Sequence, residues 1–289
     1  MSNYKELPSE ELLYGSLACA GCGGSLAARL AMKVLGKNTV ITTTASCLMG
    51  VTTFYPQLAF EVPVVTSVFA ATGAVVSGVA AGLKRKGIKD VNLVVFAGDG
   101  GTYDIGIQAL SGALERGEKF IWIAYDNEAY MNTGTQRSGA TPFGAYTTTT
   151  PVGEKKMWED RPKKDMLRIV VDHGIPYAAS ASVAYPNDYL AKVQKAIDAP
   201  GPAYIQVLAP CPSGWGHETD QTVEIARQAV QSGVWVLSEY NEGEFCVTHR
   251  PGKRLPVETY LRKQGRFSHL GPEEIEKIQA EVDSRWEKY

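Results

Sequence analysis

Runs of apolar and β-branched residues alternate along the chain with segments of helical periodicity. The runs predict buried strands, because they are short, nearly continuous and closed by turn-forming residues. They are residues 39–44, 62–69, 92–97, 120–125, 177–182 and 203–209. The helices predicted between them include residues 70–86, 103–116, 165–173 and 186–199. Such alternation, with strands apolar on both faces, is typical of an α/β fold with a doubly wound, mostly parallel sheet.

The character of the chain changes near residue 210. Residues 1–210 contain the alternating pattern, whereas residues 211–289 are more polar, with helices predicted at 221–232 and from Pro272. We predict an α/β domain over 1–210 and a C-terminal extension over 211–289 that packs on this domain and on partner subunits. The Thr-, Gly- and Pro-rich segment 132–164 is predicted to be functional, because loops of this length are uncommon in compact domains.

Composition indicates a folded protein with a large core and excludes some classes of partner. Of the 289 residues, 44% are hydrophobic and 21% are charged, which allows a sizeable core. The 29 Lys and Arg residues nearly balance the 31 Asp and Glu residues, and no basic block stands out, so no nucleic acid partner is expected. The sequence shows neither a signal-peptide pattern nor a long apolar run. We therefore expect a cytoplasmic protein with no membrane partner.

Polar residues follow two successive predicted strands. Gly98-Asp99-Gly100 closes one strand and Asn127 closes the next. Because parallel strands end at the same edge of a sheet, these side chains should meet where α/β folds bind ligands. Carboxylate and amide oxygens suit Mg²⁺, and the glycines would let the backbone approach a diphosphate closely. A Gly-Asp-Gly turn is common by itself. The interpretation as a site for Mg²⁺ and a diphosphate therefore depends on its position at the end of a strand.

The chain has five cysteines, an odd number that favours ligands or redox groups over structural disulfides in a cytoplasmic protein. Cys19 and Cys22 form a CxxC pair, while Cys47 and Cys211 each follow a predicted strand and could reach the same sheet edge. These positions alone leave open an iron–sulfur cluster, a zinc site, a redox dithiol and simple buried cysteines. Cys246 is predicted to be a small buried hydrophobic residue.

Five segments together resemble the beta subunit of pyruvate and related 2-oxoacid:ferredoxin oxidoreductases. They are CAGCGGSLAARLAMKVLG, GDGGTYDIGIQAL, DNEAYMNTGTQRSGATPFGA, APCPSGWG and PVETYLRKQGRFSHL. The 26 residues between Gly100 and Asn127 also match the family's thiamine-diphosphate motif. The resemblance implies a thiamine-diphosphate fold and oxidative decarboxylation of a 2-oxoacid with CoA to acyl-CoA and CO₂. Electrons would pass through a 4Fe–4S cluster to ferredoxin.

The resemblance also implies roles for individual residues. Mg²⁺ would be held by Asp99, Asn127 and the backbone carbonyl of Ala129. Residues contacting the thiamine diphosphate would be Gly98, Asp99, Gly100, Asn127, Asn132, Thr133 and Cys47. The cluster ligands would be Cys19, Cys22, Cys47 and Cys211. We assign no catalytic acid or base, because in this family the activating glutamate comes from another domain or subunit.

The implied partners are an alpha-type subunit that completes the thiamine site, gamma and delta (ferredoxin-like) subunits, and ferredoxin. At Phe69-Ala70-Ala71 the sequence departs from some pyruvate-type members, which have an acidic residue followed by an amide. Oxalate, a branched-chain 2-oxoacid and an aryl glyoxylate therefore stay open as substrates beside pyruvate. Two other classes also stay open: a non-oxidative thiamine-diphosphate enzyme and a zinc-stabilised scaffold subunit.

Overall fold

The computed structural model describes residues 4–8, 11–56, 58–153 and 158–289. In these ranges the strands form one eight-stranded sheet with the order β2-β1-β3-β4-β6-β5-β7-β8. The strands are β1 Thr39–Thr44, β2 Val64–Ser67, β3 Asn92–Gly98, β4 Ile121–Asp126, β5 Tyr177–Ser182, β6 Ala203–Leu208, β7 Leu237–Asn241 and β8 Glu244–His249. Strands β1 to β6 pair in parallel, whereas β7 and β8 pair antiparallel. The sheet is therefore mostly parallel, as predicted.

Helices cover both faces of the sheet. They are α1 Gly23–Leu35, α2 Cys47–Thr52, α3 Thr72–Arg85, α4 Ile107–Arg116, α5 Met166–Val171, α6 Pro186–Asp198, α7 Pro212–Trp215, α8 Thr222–Gln231, α9 Val257–Leu261 and α10 Pro272–Trp286. Successive residues of β3 point to opposite faces. Val94 and Phe96 pack with α1 and α6, and Val95 and Ala97 pack with α3, α4 and α5. This double burial explains the continuous apolar runs.

Most predicted elements are confirmed. Strands β1 and β5 have the predicted bounds, and the helix predicted from Pro272 is α10. The helix predicted over 103–116 is partly wrong, because Gly100–Asp104 forms a π-helical turn and α4 begins only at Ile107. That turn positions the residues that follow Asp99.

The C-terminal part contains a hairpin that the polar sequence does not predict. Strand β7 pairs with β5, so residues beyond 210 extend the central sheet. The predicted burial of Cys246 is wrong: β8 forms the sheet edge, and Cys246 is exposed on it. Within the part of the chain that the structure describes, every helix is too short or too polar to cross a membrane.

Candidate active site

The predicted cofactor residues meet at the carboxyl edge of the parallel sheet. Asp99 follows β3, Asn127 follows β4, and Cys47 begins α2 just after β1. Strands β3 and β4 are neighbours in parallel register, which places Asp99 and Asn127 side by side. One cavity of about 190 Å³ is lined by Cys47, Gly98, Asp99, Gly100, Asn127, Ala129, Asn132 and Thr133, among others. The structure thus brings together the whole predicted cofactor set.

Three polar groups converge as the ligands of a small cation would. One atom of the Asn127 side-chain amide lies 2.8 Å from Asp99 Oδ1 and 2.9 Å from the carbonyl oxygen of Ala129. With its nitrogen inward, this amide would donate to both oxygens; with its oxygen inward, three oxygens face one another. Neighbouring ligands of an octahedral Mg²⁺ with bonds of 2.0–2.1 Å lie about 2.9 Å apart. Both spacings from the Asn127 amide therefore match the distance between neighbouring ligands of a Mg²⁺ ion.

The Asp99 carboxyl lies in a setting where its negative charge is costly. Burial raises the pKa of Asp99 well above its usual range, and the nearby Asp126 carboxyl adds to this effect. The Ser138 hydroxyl donates a hydrogen bond to Asp99 Oδ2 and partly offsets it. A bound divalent cation would favour the ionised form. The chemistry of the site thus also fits a cation.

Glycine at position 100 is required by packing against a tyrosine. A Cβ atom on Gly100 would lie 2.2 Å from Cε1 of Tyr130, and the Tyr130 hydroxyl donates to the Gly100 carbonyl over 3.1 Å. Any larger residue would displace this ring, which lines the cavity. The structure therefore adds a packing reason to the predicted role of this glycine beside a diphosphate.

Four cysteines surround a neighbouring cavity of about 210 Å³: Cys19, Cys22, Cys47 and Cys211. Two of them cap helices, with Cys22 Sγ accepting from the Ser25 amide at 3.4 Å and Cys211 Sγ accepting from the Gly214 amide at 3.5 Å. Backbone donors of this kind stabilise thiolates. The structure thus brings the four predicted cluster ligands, which come from three separate parts of the chain, around one cavity.

The half-buried thiols of Cys22, Cys47 and Cys211 ionise less readily than free thiols, because burial raises the pKa of each. Burial is the main cause that raises the pKa of Cys47 to about 12, and the thiols of Cys211 and Cys22 raise it further. Across the described ranges, no group of three or more His, Cys, Asp or Glu side chains is arranged to hold a metal ion. A 4Fe–4S cluster binds its four thiolates at different irons, so its ligands surround a cavity rather than a single ion. The four cysteines line one cavity in this way.

The two cavities share a wall. Both are lined by Cys47, Tyr125, Asn127, Met131 and Asn132. Sequence reasoning missed Tyr125 and Met131 because they look like ordinary core residues. It also missed Ser138, whose bond to Asp99 spans 39 positions; its place in the long segment 132–164 was the only available signal. A ligand bound in the first cavity would therefore lie beside the cysteines, with no element between them.

This combination of fold and site defines a thiamine-diphosphate-binding domain. Residues 44–207 match the family model described as "Thiamine pyrophosphate enzyme, C-terminal TPP binding domain". The fold is shared with a solved 2-oxoglutarate:ferredoxin oxidoreductase from Magnetococcus marinus, which has a TM-score of 0.59 and 20% identity. That match covers 77% of this chain and 79% of the solved chain. The solved structure contains 2-oxoglutarate, coenzyme A and succinyl-CoA.

Sequence identity with curated relatives identifies the family within this class. The chain is 54% identical to pyruvate synthase subunit PorB of Methanothermobacter thermautotrophicus, over 96% of this chain and 97% of the relative. It is 46% identical to ketoisovalerate oxidoreductase subunit VorB of Pyrococcus horikoshii, and this match covers 98% of this chain and 93% of the relative. The chain therefore belongs to the family of beta subunits of 2-oxoacid:ferredoxin oxidoreductases. It is a subunit of a multi-subunit, thiamine-diphosphate-dependent oxidoreductase.

Proposed function

We propose that this chain binds thiamine diphosphate, Mg²⁺ and one 4Fe–4S cluster in an enzyme that oxidises a 2-oxoacid with CoA. The products would be acyl-CoA and CO₂, and the electrons would leave for ferredoxin. One observation carries the proposal: the cavity lined by Asp99 and Asn127 adjoins the cavity lined by four cysteines, with Cys47 between them. A non-oxidative thiamine enzyme would have no use for the second cavity.

Each part of the site has a distinct task. Thiamine diphosphate, when bound, supplies the nucleophilic carbon and the electron sink for decarboxylation. Asp99, Asn127 and the Ala129 carbonyl would hold Mg²⁺ against its diphosphate, while Asn132 and Thr133 would line its pocket. Phe54 and Phe69 also line this cavity and make part of its wall apolar. Cys47 borders both cavities and so offers a short route for electrons to the cluster.

Exposed apolar residues near the cavity support a covering alpha-type subunit. Phe54 lines the cavity and is 57% exposed, and Val68 is 68% exposed beside Phe69. Exposed apolar surface next to a cofactor cavity is characteristic of an interface. Of the chain's five cysteines, four serve one cluster in this proposal. Further clusters would therefore lie on the gamma and delta subunits that pass electrons to ferredoxin.

Pyruvate is the proposed substrate, because three relatives named as pyruvate synthase subunits are 50–54% identical to this chain. The relatives named as ketoisovalerate oxidoreductase subunits are 46–47% identical. Together with the departure at Phe69-Ala70-Ala71, they keep a branched-chain 2-oxoacid as the second candidate.

The decisive experiment uses the native complex, purified without oxygen. Pyruvate, 2-ketoisovalerate, 2-oxoglutarate, oxalate and phenylglyoxylate are each supplied with CoA and methyl viologen. We expect CoA-dependent viologen reduction, fastest with pyruvate, and about four iron atoms for this chain's cluster. Release of CO₂ without viologen reduction would support the non-oxidative enzyme instead. Zinc without iron at the four cysteines would support the scaffold alternative.

A further inference from the structure

The loop that carries two of the proposed Mg²⁺ ligands has an unfavourable backbone conformation at its centre. Glu128 lies between Asn127 and Ala129 and has a φ of +68°. This left-handed region is unfavourable for residues with a side chain, so the surrounding structure must impose it. On either side of Glu128, the Asn127 side-chain amide and the Ala129 carbonyl oxygen lie 2.9 Å apart, and the same amide lies 2.8 Å from Asp99 Oδ1.

The Glu128 side chain is held by two cations. Glu128 is 5% exposed, and its Oε2 lies 2.6 Å from Nη2 of Arg266 while its Oε1 lies 2.8 Å from Nζ of Lys163. The Thr141 hydroxyl donates to the Glu128 carbonyl over 2.8 Å. A buried carboxylate with charged partners on both oxygens has little freedom to turn.

Arg266 reaches the same loop by a second route. Its guanidinium lies 3.7 Å from the centre of the Trp215 ring. The Trp215 indole donates from Nε1 to the carbonyl oxygen of Asn127 over 2.7 Å. Arg266 and Trp215 are both buried. Arg266 thus contacts both the Glu128 side chain and the indole that holds the carbonyl of the preceding residue, Asn127.

We propose that Arg266 is a positioning residue for the divalent-cation site. Through Glu128 and Trp215 it fixes the backbone of residues 127–129, so that the Asn127 amide and the Ala129 carbonyl converge with Asp99. Partners of this kind, one shell away from a metal, orient its ligands and tune its affinity. The inference rests on the Mg²⁺ site of the proposed function. It gives the C-terminal part of the chain a direct role in cofactor binding.

The same contacts tie the cation loop to the cysteines. Trp215 is the last residue of α7, the short helix that Cys211 caps. The Trp215 indole therefore links a proposed cluster ligand to the proposed Mg²⁺ loop within four residues.

The test compares Arg266→Met with a matched variant, Arg254→Met. Arg254 also belongs to the C-terminal part: it pairs with Asp283 over 2.6 Å and lies 5.5 Å from the centre of the Trp286 ring. The purified complex is freed of divalent ions with a chelator and titrated with Mg²⁺ at a fixed thiamine diphosphate concentration, and bound thiamine diphosphate is measured. Arg266→Met should weaken the apparent Mg²⁺ affinity by about 10- to 100-fold. In Arg254→Met the apparent Mg²⁺ affinity should stay within about twofold of the wild-type value, because Arg254 belongs to an ion pair remote from the proposed metal site.

Unchanged Mg²⁺ affinity in Arg266→Met would overturn the inference, even if its melting temperature fell, because only a structural role would then be left. Failure of the wild-type complex to bind thiamine diphosphate with Mg²⁺ would instead overturn the proposed function. If Arg266→Met does not fold, Glu128→Gln tests the same contact with little change of shape and should also weaken Mg²⁺ binding. Wild-type affinity in Glu128→Gln would count equally against the inference.

Discussion

At the scale of single residues, the buried carboxyl of Asp99 lowers the stability of the fold but is suited to binding a cation. The residue is 1% exposed, and both burial and the Asp126 carboxyl raise its pKa. A neutral side chain would suit this environment better in the absence of a cation. The proposed role of Asp99 as a Mg²⁺ ligand would account for a carboxyl at this position.

Replacing Asp99 by Asn should separate these two effects. We expect Mg²⁺-dependent thiamine diphosphate binding to weaken by more than about 100-fold, which exceeds the effect of losing an outer partner of a metal ligand. The melting temperature without cofactors should stay the same or rise, because the repulsion between residues 99 and 126 is removed. Calorimetric titration and thermal unfolding of the same preparation measure both quantities. Wild-type cofactor affinity would contradict the assignment of Asp99 as a ligand.

The cysteines allow an equally direct comparison. Cys22→Ala removes one of the four cysteines that line the 210 Å³ cavity and should lower the visible absorbance and the iron content of the complex by the share of one cluster, about four iron atoms. Cys246→Ala is the matched control, since Cys246 is exposed on β8 and should leave both unchanged. Iron analysis and absorbance of anaerobically purified complexes measure the outcome. Full iron content in Cys22→Ala would argue against the proposed ligand set.

At the scale of elements, one close helix contact supports the turn that follows Asp99. A Cβ atom on Gly73, in the first turn of α3, would lie 2.1 Å from the carbonyl oxygen of Ala109 in α4. Helix α4 directly follows the π-helical turn Gly100–Asp104. Any increase in the separation of α3 and α4 would therefore reach the cofactor cavity.

Two substitutions in α3 should have opposite effects on stability. Gly73→Ala should lower the free energy of unfolding by about 1–3 kcal/mol, because the two helices must move apart. Gly82→Ala, at an exposed position with no atom within 4 Å of the added Cβ, should raise it by about 0.5–1 kcal/mol through helix propensity. Denaturant unfolding measures both. Equal effects of the two substitutions would show that the contact with Ala109 is unimportant.

In the long segment 132–164, the buried carboxylate of Glu159 forms ion pairs with two arginines. Glu159 Oε2 lies 2.6 Å from Nε of Arg137, and its Oε1 lies 3.0 Å from Nε of Arg161. Burial by itself would raise the pKa of Glu159, but the hydrogen bonds from these arginines lower it below its ordinary value of 4.5. The ionised form therefore stabilises the fold above pH 4.5, and this contribution is lost as the pH falls through the lowered pKa.

Replacing Glu159 by Gln should show how the contribution of this carboxylate to stability depends on pH. At pH 7 we expect the free energy of unfolding to be about 1–3 kcal/mol lower than in wild type, because a buried group loses charged partners. Below pH 4.5 the difference should shrink as Glu159 becomes protonated in the wild-type protein. Denaturant unfolding of both proteins between pH 7 and pH 3.5 tests the prediction. A difference independent of pH would rule out the ionised carboxylate as its source.

The contrast between predicted and unpredicted features has a physical cause. Strands such as β3 are apolar on both faces, and ligands at their ends follow from parallel topology, so Asp99 and Asn127 could be located from the sequence. In the β7–β8 hairpin, β7 contains polar residues although most of it is buried, and β8 is mostly exposed, so both segments resemble loops in the sequence. Arg266 could not be found, since its partner Glu128 lies 138 positions away. Such contacts depend on packing that local patterns do not contain.

At the scale of the whole molecule, one sheet joins the cofactor site to the C-terminal part. Strand β7 pairs with β5, and a hydrophobic cluster includes Leu208 at the end of β6 together with Trp215 and Leu237. The division into residues 1–210 and 211–289 stays a prediction. The continuous sheet argues that the two parts stabilise each other, because without β7 the buried strand β5 would become an edge.

This coupling predicts cooperative opening of the two parts. Leu237 is fully buried in β7, so Leu237→Ala should lower the free energy of unfolding by about 2–5 kcal/mol. If the parts open together, hydrogen exchange in the purified complex should become faster in central strand β4 as well as in β7, and by a similar free energy. Phe245→Ala, on the exposed edge strand β8, should change exchange only locally. Faster exchange confined to β7 and β8 in Leu237→Ala would show instead that the hairpin opens independently, so that the cofactor site would not depend on it.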